Sequence, residues 1–163
     1  SALQYNSSWN IRHSITVILC VPLLVLTFAN ENSLIPSDKV INHDNLFKSD
    51  INFLQRKKII LPGERVLSFY SDALFSNKDD GNGFTEGRVF SYWVDEQKGF
   101  QSEIATFQEI SDIKVEYADD TLSNTTVTII RSDDTEFMLF ISAIDGLDKA
   151  FVKDLKSRIK KPK

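Results

Sequence analysis

The sequence predicts an α+β chain: an N-terminal transmembrane helix, then one small, mostly antiparallel β-domain that a C-terminal amphipathic helix closes. Three observations predict it. Residues 14–29 carry no charged side chain. From Glu64 onward, short runs rich in Val, Ile, Phe and Tyr are separated by turn residues. Near the end, Leu147, Phe151, Leu155 and Ile159 recur at four-residue spacing. A chain of 163 residues has room for one domain of roughly 100–120 residues and an extension.

The segments follow in order. Residues 1–13 are polar, and 14–30 read as a transmembrane or signal-like helix whose membrane contacts are Ile15, Val17, Leu19, Leu23, Leu24 and Leu26. Its uncharged core would reach about 24 Å as a helix, a little short of a ~30 Å hydrocarbon layer. Trp9 and Arg12 flank one side, and Asn30, Glu31 and Asn32 the other. Pro22 is tolerated in a lipid-embedded helix. An uncleaved span is the favoured reading. A secretory signal, with Arg12 as its basic region and Thr27-Phe28-Ala29 at the cleavage site, competes with it, as does a buried or interfacial helix. Arg12 and His13 precede the run, and the first basic residue after it is Lys39, so the positive-inside rule puts the β-domain on the far side of the membrane.

Residues 31–38 form a linker, and 39–60 a helix leading into the domain. Ile41, Phe47, Ile51, Leu54 and Ile59 fall near helical spacing, which predicts a helix over 40–57 with Ser37 or Asp44 as cap. Residues 61–163 are the β-domain. Strands are predicted at 65–75, 85–94, 99–107, 112–118, 125–131 and 136–142, six in all. Residues 77–83, Asn-Lys-Asp-Asp-Gly-Asn-Gly, read as a turn. The run 136–142 is nearly all apolar and reads as a central strand. The closing helix is predicted over 146–160, with Asp145 as cap and Asp148 in its first turn.

Charge is divided unevenly. Residues 61–148 hold six Lys or Arg against eighteen Asp or Glu, whereas 149–163 hold seven against one. Such an acidic domain repels a polyanion, so nucleic acid is excluded as a general partner. The basic tail is first a solvated helix face matched to the C-terminal dipole. Lys153, Lys156, Lys160 and Lys161 are its candidate interaction patch.

No catalytic residue, cofactor or metal ligand is predicted. The two histidines, His13 and His43, and the single Cys20 supply no dyad or zinc set. No phosphate-binding glycine motif occurs. Asp79-Asp80-Gly81-Asn82-Gly83 lacks the ligand order of a calcium loop. Asn6-Ser7-Ser8 and Asn124-Thr125-Thr126 match the glycosylation sequon, but Thr125 and Thr126 are better explained as strand formers.

Leu-Pro-Gly-Glu-Arg-Val-Leu-Ser-Phe-Tyr-Ser (61–71) and Phe-Thr-Glu-Gly-Arg-Val-Phe-Ser-Tyr (84–92), followed by hairpins and a terminal helix, resemble a bacterial pleckstrin-homology-like domain. The shared features are a strand opening after a Gly-Glu step and a Thr-x-x-Arg-Val pattern, here Thr85, Arg88 and Val89. The resemblance spans about 40–161. It implies a strongly bent sheet or partly open barrel of six or seven strands, seven being usual, with the last helix plugging one end. It implies no phosphoinositide pocket, because the first hairpin holds Asp72, Asp79 and Asp80 beside Lys78.

The expected function is a non-enzymatic, membrane-tethered interaction or scaffolding module at a bacterial inner membrane. It would touch lipid through its N-terminal helix and bind a protein partner or a membrane surface. The alternatives are an accessory single-span subunit of a larger bacterial membrane complex, and a secreted or periplasmic domain released by signal cleavage.

Overall fold

The computed structural model describes residues 40–72 and 77–159, all within one compact unit, Pro36–Lys163. The predicted membrane contacts Ile15, Val17, Leu19, Leu23, Leu24 and Leu26 lie outside the described residues, as do Lys160 and Lys161. Among the described residues, no helix is long and apolar enough to cross a membrane.

Among the described residues, seven strands form two antiparallel sheets. The first sheet has the order β1 (Val66–Tyr70), β2 (Asp80–Thr85), β3 (Arg88–Asp95), β4 (Gly99–Thr106). The second contains β5 (Ile110–Glu116), β6 (Asn124–Arg131) and β7 (Glu136–Ser142). Two helices complete the domain, α1 (Lys48–Arg56) and α2 (Leu147–Ile159). The sheets do not close into a barrel.

The seventh strand is β2, which falls on the segment predicted to be a turn. Its glycines explain both the strand and the misreading. A Cβ on Gly81 would lie 2.5 Å from the Tyr92 hydroxyl and 2.7 Å from the Phe69 ring. One on Gly83 would lie 2.7 Å from both the Phe90 ring and the Ser68 carbonyl oxygen. The strand therefore gives up side chains at alternate positions so that aromatic rings of β1 and β3 can lie across it. The reversal after β2 is Glu86-Gly87, where Thr85 Oγ1 accepts the N–H groups of Gly87 and Arg88, each at 3.2 Å.

The Thr85 and Arg88 pattern has a structural use. The Glu64 carboxylate accepts from Leu61 N at 2.7 Å, Thr85 Oγ1 at 2.5 Å and Arg88 Nε at 3.2 Å. The loop leading into β1 is thus tied to the β2–β3 turn by a largely buried ion pair.

The first sheet is covered on both faces. Phe69, Phe90 and Tyr92 pack with Phe53, Leu54, Ile59 and Ile60 of the α1 region. On the opposite face, Phe84, Val89 and Ala105 join Val127, Leu139 and Ile141 of the second sheet and Phe151, Val152 and Leu155 of α2. Phe84 and Phe151 meet edge to face, 4.9 Å between centroids. Of the predicted apolar stripe of the closing helix, Phe151 and Leu155 are therefore core and Ile159 packs partly buried against it.

The helix α1 is shorter than predicted. Ile41 pairs in a β-bridge with Phe69, the two residues exchanging N–H···O bonds of 2.7 Å. Phe47, not Asp44, stands at the N-cap of α1, with no side-chain cap bond; Asn42 caps a separate 3-10 turn, His43–Asn45, and Ser37 lies outside the described residues. Asp145 lies inside the 3-10 turn Ile144–Gly146 that runs into α2, at φ 58°, and not at the helix cap, and Asp148 is buried, accepting from Thr125 Oγ1 at 2.6 Å.

The strand β7 is apolar but lies at an edge, not at the centre. Phe137, Leu139 and Ile141 enter the core, while Met138 and Phe140 remain 46% and 48% exposed.

Candidate functional site

Strand alternation sends one polar row of the first sheet toward its inner face: Tyr70, Asn82, Ser91 and Glu103 are consecutive cross-strand partners. The neighbouring row, Phe84, Val89 and Ala105, is sealed in the core. The polar row lies where the two sheets part, and β7 passes over it. A groove of about 530 Å³ results, with Trp93, Phe137, Met138 and Phe140 among its apolar walls.

Hydrogen bonds fix its floor. Ser91 Oγ donates to Asn82 Oδ1 at 2.9 Å, and Asn82 Nδ2 donates to the Phe140 carbonyl at 3.1 Å. Glu103 accepts from Arg131 Nη2 at 2.6 Å, and the Arg131 guanidinium also lies 4.6 Å from the Phe137 ring centroid. These contacts join the sheets across the groove and hold it open at a set width.

The groove is acidic. Asp72, Asp80, Glu103 and Glu136 line it, and among the described residues no Lys or Arg does. Asp80 is fixed by Ser71 Oγ at 2.7 Å and Asp72 N at 3.0 Å. Burial, then the nearby Asp72 carboxylate, pushes the Tyr70 phenol well above the usual tyrosine range. Burial and Asp80 do the same to Tyr92, whose hydroxyl donates to the Asn77 carbonyl. Both phenols hold their protons and act as hydrogen-bond donors rather than bases.

The basic patch looks different. Lys153 is exposed on α2 and Lys156 half-buried. Lys156 borders a smaller cleft of about 120 Å³ with Ser111, Asp112, Ile113 and Ile159. Among the described residues, no group of three or more His, Cys, Asp and Glu could hold a metal ion. His43 is half-buried, its Nδ1 accepting the Val66 N–H at 3.3 Å.

The acidic groove was not legible in the sequence, because Asp80 and Asn82 read as turn residues. One signal was present: Asp80, Asn82 and Phe84 alternate with Gly81 and Gly83, the period of a strand.

No protein-family model matches the sequence, and neither does any curated protein. Among solved structures, a DUF1696 family protein with a pleckstrin-homology domain from Shewanella loihica matches at 15% identity. The match covers 76% of this chain and 96% of that one, with a TM-score of 0.46.

Proposed function

We propose that this chain is a non-enzymatic interaction module of pleckstrin-homology-like type, tethered to a bacterial membrane by residues 14–30, that receives a protein ligand in the groove between its sheets. The observation that carries it is the groove itself. It combines aromatic walls, a fixed polar floor and one sign of charge, which is the composition of a recognition surface. Its Tyr70 phenol is held neutral, and Ser91, Asn82, Glu103 and Arg131 are engaged with one another or with the backbone. Seven strands in two sheets with a closing C-terminal helix support the pleckstrin-homology-like assignment.

The test uses the full chain in native membranes, with a photo-crosslinking residue at position 93. The expected result is sedimentation with membranes after an alkaline carbonate wash, and a discrete protein adduct that weakens when Glu136→Lys is added. Recovery only in the wash would remove the tether. Adducts with lipid alone would remove the protein ligand, and so would a substrate turned over in a broad hydrolase panel with loss of activity on Asp80→Asn.

A further inference from the structure

The domain has four sheet edges, and three of them are closed to further pairing. The β1 edge carries a bulge between Val66 and Ser68 and is bridged by Ile41. On β4, the Arg131 guanidinium donates to the Ile104 carbonyl at 3.3 Å. The β5 edge has a bulge between Ile110 and Asp112 and alternating charges at Asp112, Lys114 and Glu116. Bulges, charges and covering groups are the usual means of stopping edge-to-edge association.

Among the described residues, the β7 edge carries one covering group, Asn82 on the Phe140 carbonyl, and no bulge. Its register with β6 runs without a shift from Glu136 to Ser142, and between Phe137 and Ile141 there is neither proline nor charge. The direction of its backbone groups is fixed at both ends. Arg131 N donates to Thr135 O at 2.8 Å, and Ala143 N donates to Ser123 O at 3.4 Å. Antiparallel alternation then turns Phe137, Leu139 and Ile141 toward β6, and turns the N–H and C=O of Glu136, Met138 and Phe140 outward. Asn82 already takes the Phe140 carbonyl. The Glu136 and Met138 backbone groups face the groove.

We propose that the groove takes an extended, lysine- or arginine-bearing segment of a partner protein, which adds to β7 as a short strand. This rests on the interaction-module reading above and names its ligand class. Backbone pairing with Glu136 and Met138 supplies the affinity that any strand could gain, and Asn82 stops the added strand before Phe140. Selectivity comes from charge: Glu103 is paired with Arg131, but Asp72, Asp80 and Glu136 also line the groove, and among the described residues no Lys or Arg lines it, so alternate side chains of the incoming strand are favoured as cations and disfavoured as carboxylates.

The experiment uses the full chain in zwitterionic detergent micelles and a fluorescein-labelled peptide of eight residues, alternating lysine and threonine. Three probes are compared by anisotropy: this peptide, its glutamate-for-lysine twin, and the lysine peptide N-methylated at its four central amides. The lysine peptide binds. The glutamate twin does not, and N-methylation weakens binding about two- to tenfold for each hydrogen bond lost. Met138→Pro removes an outward N–H without touching the bonds to β6 and produces the same loss, with the far-ultraviolet spectrum checking that the sheet persists. Glu136→Lys lowers affinity for the lysine peptide only.

Equal binding of the N-methylated peptide overturns strand addition whether or not the proline variant folds. Equal binding of the glutamate twin overturns the charge selection. Concentration-dependent dimers abolished by Met138→Pro would assign the edge to a second copy of this chain instead. If the position-93 cross-link to protein survives Met138→Pro, strand addition fails while the interaction module stands; if there is no protein cross-link at all, both fail.

Discussion

The two sheets are built from similar strand-forming residues but are covered differently. In the four-stranded sheet, α1 packs on one face and the second sheet with α2 on the other, so both sets of alternating side chains are buried along most of β1, β2 and the first half of β3. The three-stranded sheet buries only one set. Val127, Ile129, Leu139 and Ile141 are inside, whereas Lys114, Glu116, Met138 and Phe140 stand on an open face. A sheet covered twice becomes a rigid support. One covered once keeps a surface and, here, an edge covered at one carbonyl, that of Phe140. The groove forms where the two conditions meet, with a floor from the doubly covered sheet and a wall from the edge of the other.

The largest expected effects come from removing an aromatic ring from either cover of the first sheet. Phe90 faces α1 and Phe151 plugs the inner side, and both are sealed from solvent. Each changed to Ala should cost about 3–5 kcal/mol by chemical denaturation, the usual loss for a buried ring. That is a large share of a small domain's ~5–15 kcal/mol. A mild effect at Phe90 alone, with Phe151 severe, would show that α1 does not unfold with the sheets, and the double cover would then reduce to one.

Next in size is Glu64→Ala. It leaves Arg88 without its anion and frees the Leu61 N–H and the Thr85 hydroxyl. A loss of about 1.5–3 kcal/mol is expected, the range for hydrogen bonds to a charged group. Glu64→Gln should recover part of it. If Glu64→Ala leaves the denaturation midpoint unmoved, the Thr85 and Arg88 pattern is not the lock between β1 and the β2–β3 turn.

Gly83→Ala should cost about 1–3 kcal/mol as an overpacking change. The added methyl meets the Ser68 backbone carbonyl as well as the Phe90 ring, and backbone cannot swing aside. Gly87→Ala is the control, because its Cβ would meet only the Glu64 carboxylate at 3.9 Å. Equal effects at the two positions would mean that β2 is not threaded under the aromatic rings.

The same contrast separates what the sequence disclosed from what it concealed. The closing helix was legible because Leu147, Phe151, Leu155 and Ile159 obey one local period, and local periods survive folding. Strands β3 to β7 were legible for the same reason. β2 was concealed because its apolar partners are on other strands: Gly81 and Gly83 look like turn residues until Phe69, Phe90 and Tyr92 are placed over them. The position of β7 was concealed by its hydrophobicity. Apolar residues on both faces predict a central strand only if nothing else makes Met138 and Phe140 useful outside. The groove was illegible for a further reason, since Tyr70, Asn82, Ser91 and Glu103 come together only through three successive strand pairings. The basic patch, by contrast, was conspicuous in the sequence; of its residues, Lys153 is exposed and Lys156 half-buried on α2, and the other two lie outside the described residues.

The smallest expected effect is also the sharpest test of the open face. Phe140→Thr replaces a half-exposed ring with a strand-compatible residue, keeps the outward Phe140 carbonyl that Asn82 holds, and leaves the β6 pairing unchanged. Its stability should stay within roughly half a kcal/mol, the ordinary range for a surface position. Lys153→Ala on the exposed side of α2 should behave alike. Both are read from the denaturant midpoint of the full chain at a fixed detergent concentration. A cost near that of Phe90→Ala would mean that the outer face of the second sheet is buried in the working protein, by another segment of the chain or by another copy. The two sheets would then be equally covered, and Phe140 would belong to a core instead of a recognition wall. A neutral Phe140→Thr that weakens the protein cross-link at position 93 separates stability from binding at one residue, as a sheet covered on one side only requires.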